Sequence, residues 1–236
     1  MSSQHRSDVE TQRAYARLAG FMYLFVLGCS IAGLVVTSSV GAGLGFVERS
    51  TAIVRSESLF RLGLVLALVS SLSTVVLAVA LYVTVRPVDR NLGLVGLLFR
   101  IGEAGIGGAG IALSFAVLQV HAAAAAGHGL AADEWQGLAD TFNGVATTEV
   151  AAIFFSFGST VTFYLFLRSG YIPRLLAGVG LFGSVCYAAV WIGRLLVPDV
   201  SRLVPFASVP ILIAEVGGGL WLLLRSIDVR HVTRGS

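Results

Sequence analysis

The chain has 236 residues, of which 56% are apolar and only 12% charged, whereas soluble domains have about 45–50% apolar and about 25% charged residues. This composition excludes a water-soluble globule. Five prolines and two cysteines exclude a collagen-like repeat and a disulfide-stapled scaffold, and a formal net charge of +3 is too small for a nucleic-acid-binding surface. The composition therefore predicts an all-α, polytopic membrane protein that lies in the lipid bilayer.

Six apolar stretches reach the length of about 20 residues that crosses the core of a bilayer as a helix. They lie at 18–40, 59–85, 92–120, 143–167, 175–197 and 203–225. The first is too long for the core of a cleaved signal peptide, and no A-x-A site follows it. We therefore expect a cytoplasmic segment at 1–17, a single six-helix transmembrane domain at 18–225 and a cytoplasmic tail at 226–236.

The arginines favour one orientation in the membrane. With six spans, the N-terminus, the turns at 86–91 and 168–174, and the tail share one side, where ten of the 16 basic residues lie. These are Arg6, Arg13, Arg17, Arg86, Arg90, Arg168, Arg174, Arg225, Arg230 and Arg234. The positive-inside rule therefore predicts that both termini are cytoplasmic.

Two connections on the opposite side are longer than turns. Residues 41–58 mix apolar and charged positions, which predicts an interfacial or partly re-entrant helix before the second span. Residues 121–142 begin with alanines that should prolong the third helix, and Gly127 and Gly129 should then turn the chain. Both segments are either lids or plain connectors.

Short motifs along the chain resemble those of a known family. They are Arg17-Leu-Ala-Gly20 with Tyr23, Ile53 with Ser56-Glu57 and Leu59-Phe60-Arg61, Leu81-Tyr82 before Arg86-Pro87-Val88, Phe99-Arg100 with Glu103, Gly170-Tyr171-Ile172-Pro173-Arg174-Leu175, and Glu215 before Gly219-Leu220-Trp221-Leu222. Their order resembles an uncharacterised bacterial integral-membrane family, domain of unknown function 4386. The resemblance implies six spans in the cytoplasmic membrane of a bacterium and no established reaction.

Three charged residues lie close to the middle of predicted spans. Arg100 and Glu103 are about 12 and 17 Å into the third helix and Glu215 about 18 Å into the sixth, at 1.5 Å per residue. Each unpaired charge at this depth costs roughly 2.5–3.5 kcal/mol, so these groups must be paired, protonated or hydrated. The spacing of Arg100 and Glu103 allows an ion pair on one helix face, which would leave Glu215 in need of another partner.

Four further charged residues are predicted nearer the outer surface: Glu57, Arg61, Glu149 and Arg194. With the central three they give four glutamates and three arginines, and this near-balance favours one shared network around an outward-opening cavity. The alternative is that these charges lock the helices together and bind nothing. Intramembrane ionisable residues commonly mark a ligand or ion pathway, so all seven are candidate ligand or proton-site residues.

The sequence also carries features that permit more than one interpretation. Glu103 and Glu215 both belong to a Glu-x-Gly segment, which a 3+3 inverted repeat would explain. The similarity of 81–86 to 163–168 would instead indicate a duplicated hairpin. Around Glu215, Pro210 and three consecutive glycines favour a kinked or interrupted sixth helix.

No cofactor or metal is expected from the motifs. The G-x-G-x-x-G pattern at 105–110 lies inside a predicted span, where it cannot act as a dinucleotide fingerprint. His121, His128 and Asp133 would form a metal site only if the glycines between them did not break the helix. The other histidines lie in the tails.

The leading hypothesis is a small transporter-like or ligand-binding protein. Glu103 and Glu215 would exchange protons or accept a small polar or cationic solute, Arg100 would be their counter-charge, and the outer charges would line the cavity. The alternatives are a lipid-modifying membrane enzyme, for which no nucleophile or metal motif stands out, and a structural or regulatory membrane subunit. The sequence does not indicate an oligomeric state.

Overall fold

The computed structural model describes residues 3–127 and 129–227, with side chains at 7–127, 129–197 and 200–227. These residues form helices and turns and include no strand. Six helical segments among them are long and apolar enough to cross a membrane, as the sequence predicts. Many large side chains on these segments are exposed, including Phe206 at 77% and Leu175 at 82%. Lipid contact explains such an apolar surface.

Eight α-helices follow one another along the described chain. They are α1 (Ser3–Ser39), α2 (Phe46–Arg55), α3 (Glu57–Val85), α4 (Arg90–Ala125), α5 (Ala132–Asn143), α6 (Thr147–Ser169), α7 (Arg174–Leu196) and α8 (Val204–Arg225). A short 3₁₀ helix, Pro198–Leu203, precedes α8. The long helices match the predicted spans. Helix α1 also includes polar residues before residue 18, which lie outside the predicted span.

The two long connections are largely helical. The helix expected within 41–58 is confirmed as α2. The alanine run prolongs α4 to Ala125, and Gly127 turns the chain with a φ of +70°, a conformation that favours glycine. Helix α5 was not predicted, and because it ends at Asn143, α6 begins at Thr147 instead of 143. At the far end of α6, Gly170 has a φ of +69° and stops the helix.

Helix α8 continues without a break from Val204 to Arg225 and contains Pro210. The interpretation that the sixth span is interrupted is therefore wrong. The two prolines near its start and the three glycines at 217–219 are accommodated within one helix because neighbouring helices pack tightly on it. Helix α7 is one of these neighbours: a Cβ on its Gly183 would lie 2.9 Å from the Ile211 amide nitrogen.

The chain forms two compact units. Unit 1 comprises the described residues within 1–25, 73–104 and 149–236. Its apolar core joins α1, α3, α6, α7 and α8 and includes the buried side chains of Tyr23, Phe163, Phe166 and Leu222. At one edge of this core, Gln12 Nε2 donates hydrogen bonds of 2.8 Å to the Thr84 carbonyl and the Tyr171 hydroxyl.

Unit 2 comprises residues 26–72 and the described residues within 105–148. Its smaller core contains Val40, Ile53, Phe60, Leu64 and Leu118. The short helices α2 and α5 pack against each other. A single transmembrane domain at 18–225 stays a prediction.

Candidate functional site

A buried arginine organises the candidate site in unit 1. The Arg100 side chain on α4 is only 3% exposed. Its Nη1 donates to Glu103 Oε2 at 3.1 Å, and its Nη2 donates to Glu215 Oε1 at 2.9 Å and to Ser159 Oγ at 3.1 Å. One guanidinium therefore connects α4, α6 and α8. We call Arg100, Glu103 and Glu215 the Arg100 cluster.

Helical spacing and two glycines position the groups of the Arg100 cluster. Glu103 follows Arg100 by three residues and so lies on the same helix face. On α6, Gly158 leaves room for the arginine stem, because a Cβ there would lie 3.2 Å from Arg100 Cγ. On α8, Glu215 lies one turn before Gly219, where a Cβ would be 3.0 Å from Tyr23 Cβ.

Aromatic rings enclose the guanidinium. Its central carbon lies 4.7 Å from the centroid of the Phe155 ring and 5.8 Å from that of Tyr23, distances at which cation–π attraction is significant. Within the described residues, the Tyr23 hydroxyl and Arg100 Nε are buried without a hydrogen-bond partner. Tyr23 is 4% exposed, so this unused polar capacity lies inside the cluster.

The two carboxyl groups are only partly used by the protein. Their second oxygens, Oε1 of Glu103 and Oε2 of Glu215, make no bond with other described residues. The side chains of Glu103 and Glu215 are 18% and 14% exposed, respectively. A slot of about 10 Å³, close to the space that one water needs, also reaches Arg100 between α3, α4 and α6. The two glutamates are therefore paired with Arg100 and still partly exposed, although neither of them lines the slot.

The prediction of an Arg100–Glu103 pair is confirmed. The hypothesis that Arg100 is the counter-charge of both glutamates is also confirmed, so Glu215 does not need the separate partner that a closed Arg100–Glu103 pair would have required. A guanidinium presents five donors in a planar fork and can serve two acceptors at once. Helical spacing predicts a polar stripe on α6 that comprises Glu149, Ala152, Ser156 and Ser159, and Ser159 is the member that binds Arg100. Tyr23 and Phe155 were not predicted at this site, because a ring in an apolar helix carries no such signal.

The outer charges form pairs of their own. In unit 1, Arg194 Nη2 donates to Glu149 Oε1 at 3.0 Å, and this pair makes no hydrogen bond to the Arg100 cluster in the described chain. In unit 2, Arg61 Nε donates to Glu57 Oε1 at 2.7 Å on exposed turns of α3. The prediction that all seven charged residues form one bonded network is therefore wrong, because the outer residues form two separate ion pairs.

Aromatic contacts instead link the Glu149–Arg194 pair to the Arg100 cluster. The Arg194 guanidinium lies 4.8 Å from the Trp191 ring. The Trp191 ring contacts Tyr187 edge to face at 5.7 Å, and Tyr187 contacts Phe155 at the same distance and in the same manner. Phe155 in turn lies against Arg100. A continuous row of three rings therefore extends from the Glu149–Arg194 pair to the Arg100 cluster.

Metal ligands are not grouped in the part of the chain that the structure describes: no three His, Cys, Asp or Glu residues there could hold an ion. His128, one of the three residues considered for a metal site, lies outside the described residues. The G-x-G-x-x-G pattern lies within α4, as predicted, and so lacks the strand–helix turn that binds a dinucleotide.

Comparison with known proteins shows the family of the chain. A family described as "Domain of unknown function (DUF4386)" matches residues 18–226, which is nearly the whole chain and includes every residue of the site. The chain belongs to this family. No curated protein and no solved structure matches it. Membership in DUF4386 agrees with the resemblance in the motifs, and the function must be argued from the residues themselves.

Proposed function

We propose that the protein is a small transporter-like carrier in the cytoplasmic membrane of a bacterium, in which protons and a polar or cationic solute compete for the Arg100 cluster. The observation that carries the proposal is the sharing of one buried guanidinium by two carboxyl groups, Glu103 from α4 and Glu215 from α8. One arginine can neutralise only one of the two carboxylates, so the fully ionised cluster keeps a negative charge that a proton or a cation can compensate.

Charge counting explains why the cluster should bind a cation. With all three groups ionised it carries one net negative charge, and an uncompensated charge near the middle of a span costs roughly 2.5–3.5 kcal/mol. A proton on either carboxyl group, or a bound cation, removes this cost. The unused carboxyl oxygens and the buried Tyr23 hydroxyl offer further ligand atoms.

Occupancy of the cluster can act on the helices. Two charge-assisted hydrogen bonds from Arg100 hold Glu103 and Glu215, and each such bond is worth about 1.5–3 kcal/mol. A proton or cation on Glu215 weakens the bond between α4 and α8. The strength of this connection therefore depends on what the cluster binds, which is the coupling that a carrier requires.

Infrared spectroscopy of the purified protein in lipid nanodiscs tests the proposal. A protonated carboxyl band should appear as the pH falls, and sodium or a small organic amine should shift its midpoint. The part of the band that the added cation shifts should be lost in the Glu103→Gln, Glu215→Gln double variant and retained in Glu10→Gln, which changes an exposed glutamate near the start of α1. Proteoliposomes loaded with a pH-sensitive dye should then show solute-dependent proton movement in the parent and in Glu10→Gln, but not in the double variant.

Tyr23→Phe provides a second variant that leaves every charge in place. Because the hydroxyl has no partner within the described chain, the variant should fold and melt like the parent, yet respond less to the added cation. If the double variant matches the parent in its spectra and in every flux assay, the proposed role is wrong.

A further inference from the structure

Unit 2 contains a cavity of about 520 Å³ that is independent of the Arg100 cluster. Its volume falls within the roughly 300–1,000 Å³ of small-molecule sites. Helices α1, α2, α3, α4 and α5 all contribute to its wall. Sequence analysis considered the segments that carry α2 and α5 only as lids or connectors.

The wall of the cavity contains both apolar and polar side chains. Its apolar wall includes Ile53, Leu64 and Val117, each less than a tenth exposed. The polar wall includes Arg49 from α2 and the side chains that α5 presents, Gln136, Asp140 and Asn143. An occupant should therefore have an apolar part and a charged or hydrogen-bonding part.

His121 supplies a hydrogen-bond acceptor to the cavity wall. The Ser50 hydroxyl donates its single proton to the Phe46 carbonyl at 2.7 Å. It must therefore accept the 2.8 Å hydrogen bond that joins it to His121 Nδ1. This hydrogen-bond pattern assigns the proton of a neutral imidazole to Nδ1 and the lone pair to Nε2, which makes no bond with other described residues. The His121 residue is 4% exposed and lines the cavity.

Two opposite charges on the wall have no ion-pair partner among the described residues. They are Arg49 and Asp140. The Arg49 stem lies against Gly41, where a Cβ would be 2.7 Å from Arg49 Cγ. Arg49 also interacts electrostatically with His121. The hydroxyl of Thr37, by contrast, is bonded to the carbonyl of Gly33 in its own helix.

We infer that this cavity binds a small zwitterionic amphiphile, which carries an ammonium group, a carboxylate or phosphate, and an apolar chain. The anionic group would bind Arg49, the ammonium group would donate to Asp140 and His121 Nε2, and the apolar chain would pack on Ile53 and Leu64. A free amino acid and an ethanolamine phospholipid headgroup share this chemistry.

Binding to the full-length protein in detergent, measured by calorimetry, tests the inference. The probes are leucine and dihexanoyl-phosphatidylethanolamine, together with isopentylamine and 4-methylpentanoate, which each lack one of leucine's charges. Leucine or the short lipid should bind saturably, and each single-charge analogue should bind about tenfold more weakly or worse. Binding of the short lipid alone would assign the site to a headgroup, and binding of leucine would assign it to a free solute.

Variants with matched controls locate the binding. Arg49→Gln and Asp140→Asn should each weaken binding by about tenfold or more, whereas Arg55→Gln and Asp133→Asn, which change exposed charges on the same two helices away from the cavity, should not. In the parent, the bound probe should also protect His121 from diethylpyrocarbonate, as read by mass spectrometry.

Three results would overturn the inference: neither zwitterion binds, the single-charge analogues bind as well, or binding persists in both cavity variants. Circular dichroism melting of the same samples checks that Arg49→Gln and Asp140→Asn remain folded. Because both residues are exposed, their replacement should leave the melting temperature unchanged. The Arg100 cluster takes no part in these experiments, so failure here leaves the proposed carrier function untouched.

Discussion

Arg100 uses its donors unevenly, and this determines what the residue can do. Nη1 and Nη2 make three hydrogen bonds, whereas Nε is buried without a partner in the described chain. The flat guanidinium also packs against Phe155. A lysine in its place would offer one point charge and no planar face, so Arg100→Lys is not a conservative change here.

Replacement of Arg100 by glutamine should destabilise the protein by about 3–5 kcal/mol, because it leaves two carboxylates in the span without their counter-charge. The loss should shrink as the pH falls, since protonation neutralises both carboxyl groups. Arg194→Gln, which removes the more exposed arginine of a single ion pair, should cost no more than about 1 kcal/mol. Reversible unfolding in mixed detergent measures both variants, and equal losses would contradict the central role of Arg100.

Tyr171 allows a pH-dependent prediction outside the spans. Burial raises the pKa of its hydroxyl above the ordinary value of 10.0, so the folded protein favours the neutral form. This stability is complete below about pH 10 and is lost as the pH rises further. Tyr171→Phe, which loses the hydrogen bond from Gln12, should cost about 1 kcal/mol at neutral pH and less in alkaline solution.

Melting curves of the parent and of Tyr171→Phe over that pH range provide the measurement. Tyr164→Phe, at an exposed position on α6, is the matched control. A difference between the parent and Tyr171→Phe that stays constant at high pH would contradict the prediction.

The helical spacing of Arg100 and Glu103 and the role of Arg100 as the counter-charge of both glutamates could be predicted, whereas the exact contact with Glu215 and the surrounding rings could not. The Arg100–Glu103 pair follows from helical spacing alone. The position of Glu215 depends on how α8 is rotated against α4, and hydropathy contains no information about that rotation. Tyr23 entered the sequence analysis only as part of a family motif, because a tyrosine in an apolar helix looks the same whether its ring meets lipid or an arginine.

At the level of helices, the length of each apolar stretch was enough to predict the six spans. Helix α5 was missed because it is short and half polar. It does carry a local signal, since Glu134 accepts a hydrogen bond of 2.7 Å from the Ala131 amide at its start. Acidic residues in a first turn, followed by an apolar periodicity, are typical of a helix N-terminus.

Close contact between α1 and α8 makes Gly20 sensitive to any side chain. A Cβ there would lie 2.5 Å from the Gly219 carbonyl oxygen and would also overlap the Leu223 amide nitrogen. Gly20→Ala should therefore destabilise the protein by about 1–3 kcal/mol or more. Gly28 on the same helix has open space around it, so Gly28→Ala should stabilise α1 by up to about 1 kcal/mol.

Thermal unfolding of the two alanine variants in detergent distinguishes these outcomes. If both variants melted at the same temperature, the packing of α1 on α8 would not depend on this contact. Gly20→Ala should also weaken the cation response of the Arg100 cluster, because Tyr23 and Glu215 lie on the same two helices.

For the whole molecule, the arginine distribution predicts that both termini lie in the cytoplasm. A fluorescent protein fused after Ser236 should therefore fluoresce, and alkaline phosphatase fused at the same position should be inactive. A tag inserted near Gly129, between α4 and α5, should be accessible from outside intact cells. Active phosphatase at the C-terminus would show that the predicted orientation is wrong, without contradicting the number of helices.

The row of rings from Trp191 to Phe155 gives the protein an intrinsic optical reporter. Trp191 is 6% exposed and lies against the Arg194 guanidinium, and indole emission is sensitive to nearby charge. With Trp135 and Trp221 replaced by phenylalanine, Trp191 would be the single tryptophan that remains, beside the Glu149–Arg194 pair. Rearrangements that begin at Arg100 could then be followed in real time without any label.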